Sequence, residues 1–543
     1  MGTRHFFSSA GLLVGTIFFA LSLTPSLIPR EGVVQGVISG VALAAGYGVG
    51  VLLLWLWKFF ELPSASARTQ RYLRLAAGVM CGLLALGFLW QANNWQNSVR
   101  ALIGLEAGPG VRPLTIALVA ALLFLLILLL GKLFRRLFHL VSGKLARRVP
   151  SRISIVLGLL AAFWLFWAVI NDVLLSAALH TVDGIYQRLD AKIVPDMKPP
   201  SDPGKAGSAA SLLRWNDMGH QGRRYLALGP TSDDIAKVTG TAKDPIRVYA
   251  GLNAADSPDE RAHLALEELK RVGGFDRPVL VLITPTGTGW VDPGAINSVE
   301  YLFAGDIASV AAQYSYLPSP IALMTQDAYG RETAEALFDS IYGYWRTLPK
   351  ASRPKLYLFG LSLGALNSDR SFDFFDIIDD PFHGALWTGP PFRSDTWREV
   401  TAERDAGSPA WLPQFHGGAM VRFGNHFGGY DKGTEPWGRF RIAYLQHGSD
   451  PIVFFEPQAA YRRPAWMQKP RAQDVSPDLE WYPIVTMLQL AMDMHAGIAP
   501  MGYGHSYAPG DYVDAWYHLT EPEGWDERKL KKLKENLLQW NKR

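Results

Sequence analysis

Five apolar runs occupy the N-terminal third of this chain, and they constrain its folding more than any other feature. They span Phe7–Leu27, Val34–Trp57, Leu73–Trp90, Pro113–Leu130 and Ile153–Leu175. Each approaches the roughly 20 apolar residues that a helix needs to cross a bilayer. The first has Arg4 ahead of it, as a signal peptide would. However, SLTPSLIPR follows it in place of a small-residue cleavage site, and four more runs come after. It reads as a retained helix. The expectation is an α-helical membrane domain of about five transmembrane helices over residues 1–180.

Basic residues flank these runs unevenly. Lys58, Arg68, Arg71 and Arg74 follow the second run; Lys132, Arg135, Arg136, Lys144, Arg147, Arg148 and Arg152 follow the fourth. The other short loops carry chiefly Arg30, Arg100 and Arg112. Lys and Arg accumulate in cytoplasmic loops. That rule places the two rich loops in the cytoplasm, and an odd number of spans across the cell (inner) membrane then puts the N-terminus in the cytoplasm and everything beyond Leu175 outside it. The runs hold almost no ionisable side chains, which argues against a transporter or channel and for an anchor. Gly40, Gly46, Gly48 and Gly50 would let helices pack closely.

Residues 181–222 read as a linker or irregular segment, with PDMKPPSDPGKAGSAAS at its centre. Residues 223–543 read as a soluble α/β domain. Ile246–Leu252, Val279–Thr284, Ile321–Met324 (weakly), Lys355–Phe359, Ala385–Thr388 and Arg441–Gln446 are strand candidates. Between them, Ser257-Pro258-Asp259-Glu260 has the form of a capping box opening a helix. Glu332–Thr347 also has a helical pattern. Such alternation implies a mostly parallel sheet flanked by helices. Leucines alternate with Arg528, Lys529, Lys531, Lys532 and Lys534 in a final amphipathic helix.

Net charge is only +4, and the basic clusters lie beside the apolar runs, so they speak to membrane topology and not to nucleic acid. A single cysteine, Cys81, lying inside an apolar run, excludes a disulfide framework, a zinc cluster and a cysteine nucleophile. His416 and His426 flank a Gly-rich stretch without metal-ligand spacing, and no HExxH occurs. No metal and no cofactor are expected.

Gly360-Leu361-Ser362-Leu363-Gly364 directly follows the strand candidate KLYLF and precedes Ala365-Leu366, which can begin a helix. A serine on a sharp strand-to-helix turn is exposed and strained, and the helix start offers N–H groups to a developing oxyanion. Ser362 is therefore the candidate nucleophile. In this arrangement the acid and then the histidine come later in the chain. Asp450, in HGSDPIV just past a strand, is the favoured acid; Asp373, Asp376, Asp379 and Asp380 are weaker candidates. His505, in the Gly-flanked loop MGYGHSY, is favoured over His495 and His518, which sit in helical or aromatic stretches. His447 is read as structural, with a possible supporting role. Leu363 would supply one oxyanion N–H. Gly287, Thr288 and Gly289, after VLVLIT, are the candidates for the second.

SLTPSLIPR, IRVYAGL, TPTGTGW, QYSYLPS, RPKLYLFGLSLGA, GALWTGPP, HGSDPIV, DLEWYPIVTMLQ and GYGHSY occur in this order along nearly the whole chain. In these segments the sequence resembles the bacterial multi-pass membrane α/β-hydrolases, whose N-terminal membrane domain is joined to a family-nine-type α/β-hydrolase catalytic domain. The resemblance implies an α/β-hydrolase fold and supplies no substrate. In that family the residue before the nucleophile is usually Glu, whereas here it is Leu361.

The expectation is a membrane-anchored serine hydrolase acting on acyl esters of lipid or the cell envelope, through a Ser-Asp-His triad and an acyl-enzyme. Its partners would be membrane lipids and the acyl-ester substrate. Two alternatives remain: an acyltransferase using the same triad, and a non-catalytic scaffold or lipid-binding protein on a hydrolase fold.

Overall fold

The computed structural model describes residues 7–108, 112–147, 149–168, 190, 197–319, 321–322, 327–496 and 499–540. The chain forms two compact units. The first comprises Met1–Thr181 with Phe455–Met467 and Gln473–Pro500; the second comprises the remaining residues.

In the first unit, apolar sequence becomes five helices: α1 (Ser9–Ser22), α2 (Gly32–Phe59), α3 (Ala67–Leu102), α4 (Pro113–Leu145) and α5 (Ser151–Ala168). Among the described residues, α2, α3 and α4 are long and apolar enough to cross a membrane, while α1 and α5 contain shorter apolar helices. The last part of the fifth predicted run, 169–175, lies outside the described residues. Large apolar side chains such as Trp90 and Leu114 stand exposed, as expected where the surroundings are lipid.

Glycine sets the spacing of these helices. A Cβ at Gly46 would fall 2.7 Å from Val14 O, and one at Gly50 would fall 2.4 Å from Ala10 O. Likewise, a Cβ at Gly40 would meet Ala120 O at 2.9 Å. Gly48 faces open space instead.

Residues 23–30 of the turn between α1 and α2 are all buried, so their polar groups need internal partners. The helix Val485–Ala496 of the same unit supplies them. Asp493 accepts from Arg30 Nε at 2.6 Å and from Leu27 N at 3.3 Å, and it also pairs with Ser26 Oγ. Gln489 Nε2 donates to Ser22 O and Thr24 O, and Arg30 N donates to Gln96 Oε1. Neither side chain of the Arg30–Asp493 pair is exposed.

The second unit is built on a seven-stranded sheet: β1 (Ile246–Ala250), β2 (Val279–Thr284), β3 (Ala308–Ala312), β4 (Lys355–Leu361), β5 (Gly384–Thr388), β6 (Val421–Gly424) and β7 (Arg441–Leu445). Their order is β1-β3-β2-β4-β5-β7-β6, and every pair is parallel. Every residue of β2, β3 and β5 is buried, the mark of strands covered by helices on both faces. Ser257 caps the helix Pro258–Arg271 by accepting from Glu260 N, while Glu260 Oε2 accepts from Ser257 N.

One strand expectation is corrected. Ile321 and Ala322 are helical and 323–324 lie outside the described residues; the strand in this region is β3, earlier in the chain. Within the segment read as irregular, Ala206, Leu213, Trp215 and Met218 are buried. Asp217 O comes so close to Gly251 that a Cβ there would sit 2.0 Å away.

Candidate active site

β4 lies at the centre of the sheet between β2 and β5, and it delivers Ser362 at its C-terminal end. Ser362 has φ 56° and ψ −125°, a left-handed conformation that costs a non-glycine residue of order 1–3 kcal/mol. Its N–H donates to Thr388 O at 2.9 Å, and the helix Leu363–Asp369 begins immediately after. The turn needs both flanking glycines. A Cβ at Gly360 would lie 2.4 Å from Gly364 O, and one at Gly364 would lie 2.2 Å from Thr284 O and 2.9 Å from Pro285 O. The second contact also packs the loop after β2 against the serine turn. Leu361, the position that carries Glu in the resembled family, is a buried core side chain at the end of β4.

Asp450 follows β7 and is fully buried. Its Oδ1 accepts from Ile452 N at 2.9 Å. Its Oδ2 accepts from Tyr507 Oη at 2.6 Å and faces His505 Nδ1 at 2.7 Å. Burial alone would raise this carboxyl, but the imidazole of His505 and the Tyr507 hydroxyl outweigh it, and the net shift is downward. His505 thus has Nδ1 committed to a carboxylate. Its Nε2 is buried and has no hydrogen-bond partner.

The imidazole lies beside the strand that neighbours the serine. A Cβ on Gly389, which has φ 51°, would be 2.6 Å from His505 Cε1. Gly389 directly follows Thr388, whose carbonyl holds the Ser362 N–H. The structure therefore joins Asp450 to His505 and sets both beside the Ser362 turn. Ser362 Oγ makes no hydrogen bond to His505 Nε2. Such bonds are often long in substrate-free structures and tighten when substrate binds.

The oxyanion candidates differ in their partners. Gly287 N–H donates to Ser319 Oγ at 3.2 Å, and Gly289 N–H donates to Thr286 O at 2.8 Å. Thr288 offers its carbonyl to Gln313 Nε2 at 3.4 Å. Leu363 is the first residue of its helix, where an N–H has no intrahelical acceptor.

The other carboxylates and histidines considered lie elsewhere. Asp380 pairs with Arg353 and Lys350 and sits at about 2, drawn down first by the Arg353 hydrogen bonds. Asp373 caps a short helix by accepting from Phe375 N. Asp376 lies within that helix, and Asp379 follows it. His495 bonds Ala491 O on its own helix, and His518 lies against Tyr430. His416 stacks on Phe415.

A second layer supports the His505 loop. His447 Nδ1 lies 2.9 Å from Gly504 O, and its Nε2 lies 3.2 Å from Asp511 Oδ2. Asp511 Oδ1 meets His426 Nδ1 at 2.8 Å, and Ser449 Oγ accepts from Gly504 N at 2.9 Å. His447 also stacks on Tyr507 with ring centroids 4.3 Å apart. Sequence reasoning left Asp511 and Tyr507 out. Tyr507 closes the GYGHSY segment and Asp511 lies four residues beyond it, and no spacing rule singles out either one.

A parallel sheet with a strained serine on a Gly-X-Ser-X-Gly turn after its central strand, joined to apolar helices, defines an α/β-hydrolase-type protein with a helical N-terminal unit. The model described as an alpha/beta-hydrolase family matches residues 246–533, and that described as the N-terminus of the same family matches residues 23–230. The chain belongs to this alpha/beta-hydrolase family. Searches of curated proteins and of solved structures returned no match to it.

Proposed function

We propose that this protein is a membrane-anchored serine hydrolase of acyl esters, with Ser362, His505 and Asp450 as its triad. The observation that carries the reading is the Asp450–His505 pair, 2.7 Å apart, with the far imidazole nitrogen buried and uncommitted beside the strained serine turn.

In this mechanism His505 Nε2 takes the Ser362 Oγ proton as Oγ attacks the ester carbonyl. The tetrahedral oxyanion receives N–H groups from Leu363 and from the loop after β2. Gly287 and Gly289 already spend their N–H groups within the fold, so Thr288 is the donor we favour there. Nε2 then gives its proton to the departing alcohol, leaving the acyl group on Ser362. Water, deprotonated by the same nitrogen, releases the acid and restores the serine. Asp450 keeps Nδ1 protonated throughout, and Tyr507 fixes Asp450.

Lipid or cell-envelope esters are the substrate class we favour, because the apolar helices would hold the enzyme at a bilayer. The uneven basic loops support a location in the cell membrane with the catalytic unit outside the cytoplasm. A cysteine introduced at the exposed Phe375 in a Cys81→Ser background should then react with an impermeant maleimide on intact cells. The catalytic reading is tested by fluorophosphonate labelling and ester hydrolysis in the wild type and Ser362→Ala.

A further inference from the structure

In the loop after β2, the Gly287 N–H is spent on a side-chain hydroxyl: it donates to Ser319 Oγ at 3.2 Å. A serine hydroxyl has a proton of its own to give as well as lone pairs to receive. The Ser319 proton has no acceptor among the described residues. Ser319 is half-buried, so its hydroxyl is neither sealed in the core nor out in bulk water.

The packing around Ser319 sets it beside the serine turn. Pro318 O accepts from Ile321 N at 3.0 Å and from Ala322 N at 2.9 Å, which closes one helical turn around Ser319. Leu317 and Ala322, at the two ends of that turn, are buried in one apolar cluster with Leu363 and Leu366. Leu363 directly follows the nucleophile and offers the first oxyanion N–H. The same turn lies tight against the loop after β2: a Cβ at Gly287 would be 2.5 Å from Leu317 O and 2.9 Å from Ser319 N. That loop in turn meets Gly364, where a Cβ would fall 2.2 Å from Thr284 O. Ser319 is thus clamped between the two segments that supply N–H groups to the oxyanion.

A hydroxyl that accepts from an N–H becomes a stronger donor, because linked hydrogen bonds polarise one another. We propose that Ser319 is a further catalytic residue, its Oγ–H donating to the oxyanion formed at Ser362 and passing on the pull of the Gly287 N–H. No proton is transferred; the hydroxyl keeps its hydrogen, and the bond strengthens as the substrate carbonyl oxygen gains charge. A donor that strengthens in this way favours the transition state over the bound substrate. The inference deepens the proposed function and rests on Ser362 being the nucleophile.

The test compares the full-length wild type, Ser319→Ala and Ser319→Thr in hydrolysis of a soluble short-chain ester and in inhibition by two ketones of the same chain. A trifluoromethyl ketone is attacked by the serine and gives a charged tetrahedral adduct, whereas the methyl ketone binds chiefly as a planar carbonyl. Loss of one oxyanion donor lowers kcat by about 10²–10³-fold. Ser319→Ala should therefore lose about 10²-fold in kcat with little change in KM. Its affinity for the trifluoromethyl ketone should fall by a similar factor while that for the methyl ketone holds. Ser319→Thr, which retains a hydroxyl, should recover most of the loss. A Ser319→Ala variant that keeps its kcat and its trifluoromethyl ketone affinity, beside a wild type labelled at Ser362, would overturn this proposal and leave the Ser362 reading intact. Equal weakening toward both ketones, or a Ser319→Thr variant no faster than Ser319→Ala, would also overturn it, since a hydroxyl that only holds the loop behaves so. A folded wild type inert to both ester and fluorophosphonate would remove the Ser362 reading and this proposal together.

Discussion

The hydroxyl of Tyr507 donates to Asp450 Oδ2 at 2.6 Å, the same oxygen that faces His505 Nδ1 at 2.7 Å. One carboxylate oxygen is thus shared between a fixed phenol and an imidazole that has to turn over protons. The phenol is buried, stacked on His447, and limits the positions open to Asp450. Tyr507→Phe keeps the ring and removes only the bond. A hydrogen bond to a charged group is worth about 1.5–3 kcal/mol, so kcat should fall roughly tenfold or more with little change in KM. Steady-state hydrolysis of a soluble short-chain ester measures this, and a rise in KM at constant kcat would count against a positioning role.

The glycines of the serine turn differ sharply from others in the same unit. Gly364→Ala drives a Cβ into two backbone carbonyls of the loop after β2. Overpacking of this kind costs about 1–3 kcal/mol and should also displace that loop, so labelling by a fluorophosphonate should drop along with the melting temperature. Gly343→Ala, in the helix Asp327–Thr347 with nothing within 4 Å of the new Cβ, should leave labelling unchanged and stabilise by about 0.5–1 kcal/mol. Thermal melts with parallel labelling separate the two outcomes.

Asp511 predicts an acid-sensitive contribution to stability. Burial pushes its carboxyl up, but the hydrogen bonds from His426 and His447 prevail and bring it to about 2. A carboxyl lowered in the folded state stabilises above its unfolded value near 4 and loses that stabilisation as pH falls toward 2. Asp511→Asn should therefore cost roughly 2 kcal/mol near neutrality, with the gap to wild type narrowing from about pH 4 downward. Denaturant melts across that range check it, and a pH-independent gap would show that the pair does not act through the charge of Asp511.

In the first unit, Arg30 and Asp493 form a pair with both side chains unexposed. Removing one partner of such a pair leaves a buried charge and costs about 3–5 kcal/mol, whereas replacing both with apolar residues costs far less. Arg30→Met should thus melt well below wild type in detergent, and the double variant with Asp493→Leu should recover most of the difference. Additive losses in the double variant would contradict a direct pair.

The serine turn was legible because its signals are local. A buried strand, two glycines and a helix start lie within a dozen residues. The capping box at Ser257 was legible for the same reason. β3 was not, because Ala-Ser-Val-Ala-Ala carries little of the β-branched or aromatic character that marks a strand; its small side chains fit beneath the helices that cover it. Nor was the attachment of Asp493 to Arg30, which depends on residues 463 positions apart. Asp511 escaped notice for a related reason: its partners His426 and His447 lie 85 and 64 residues away, and no periodicity links them. Long-range polar pairs of this kind leave no mark on a single sequence, whereas turns and caps do.

The most direct measurement is fluorophosphonate labelling of the purified full-length chain, with wild type beside Ser362→Ala and His505→Ala. The account predicts covalent labelling of the wild type at Ser362, none in Ser362→Ala, and labelling slowed by orders of magnitude in His505→Ala, with all three equally folded by melting temperature. A folded wild type that takes up no label, or a Ser362→Ala variant labelled as fast as wild type, would contradict it.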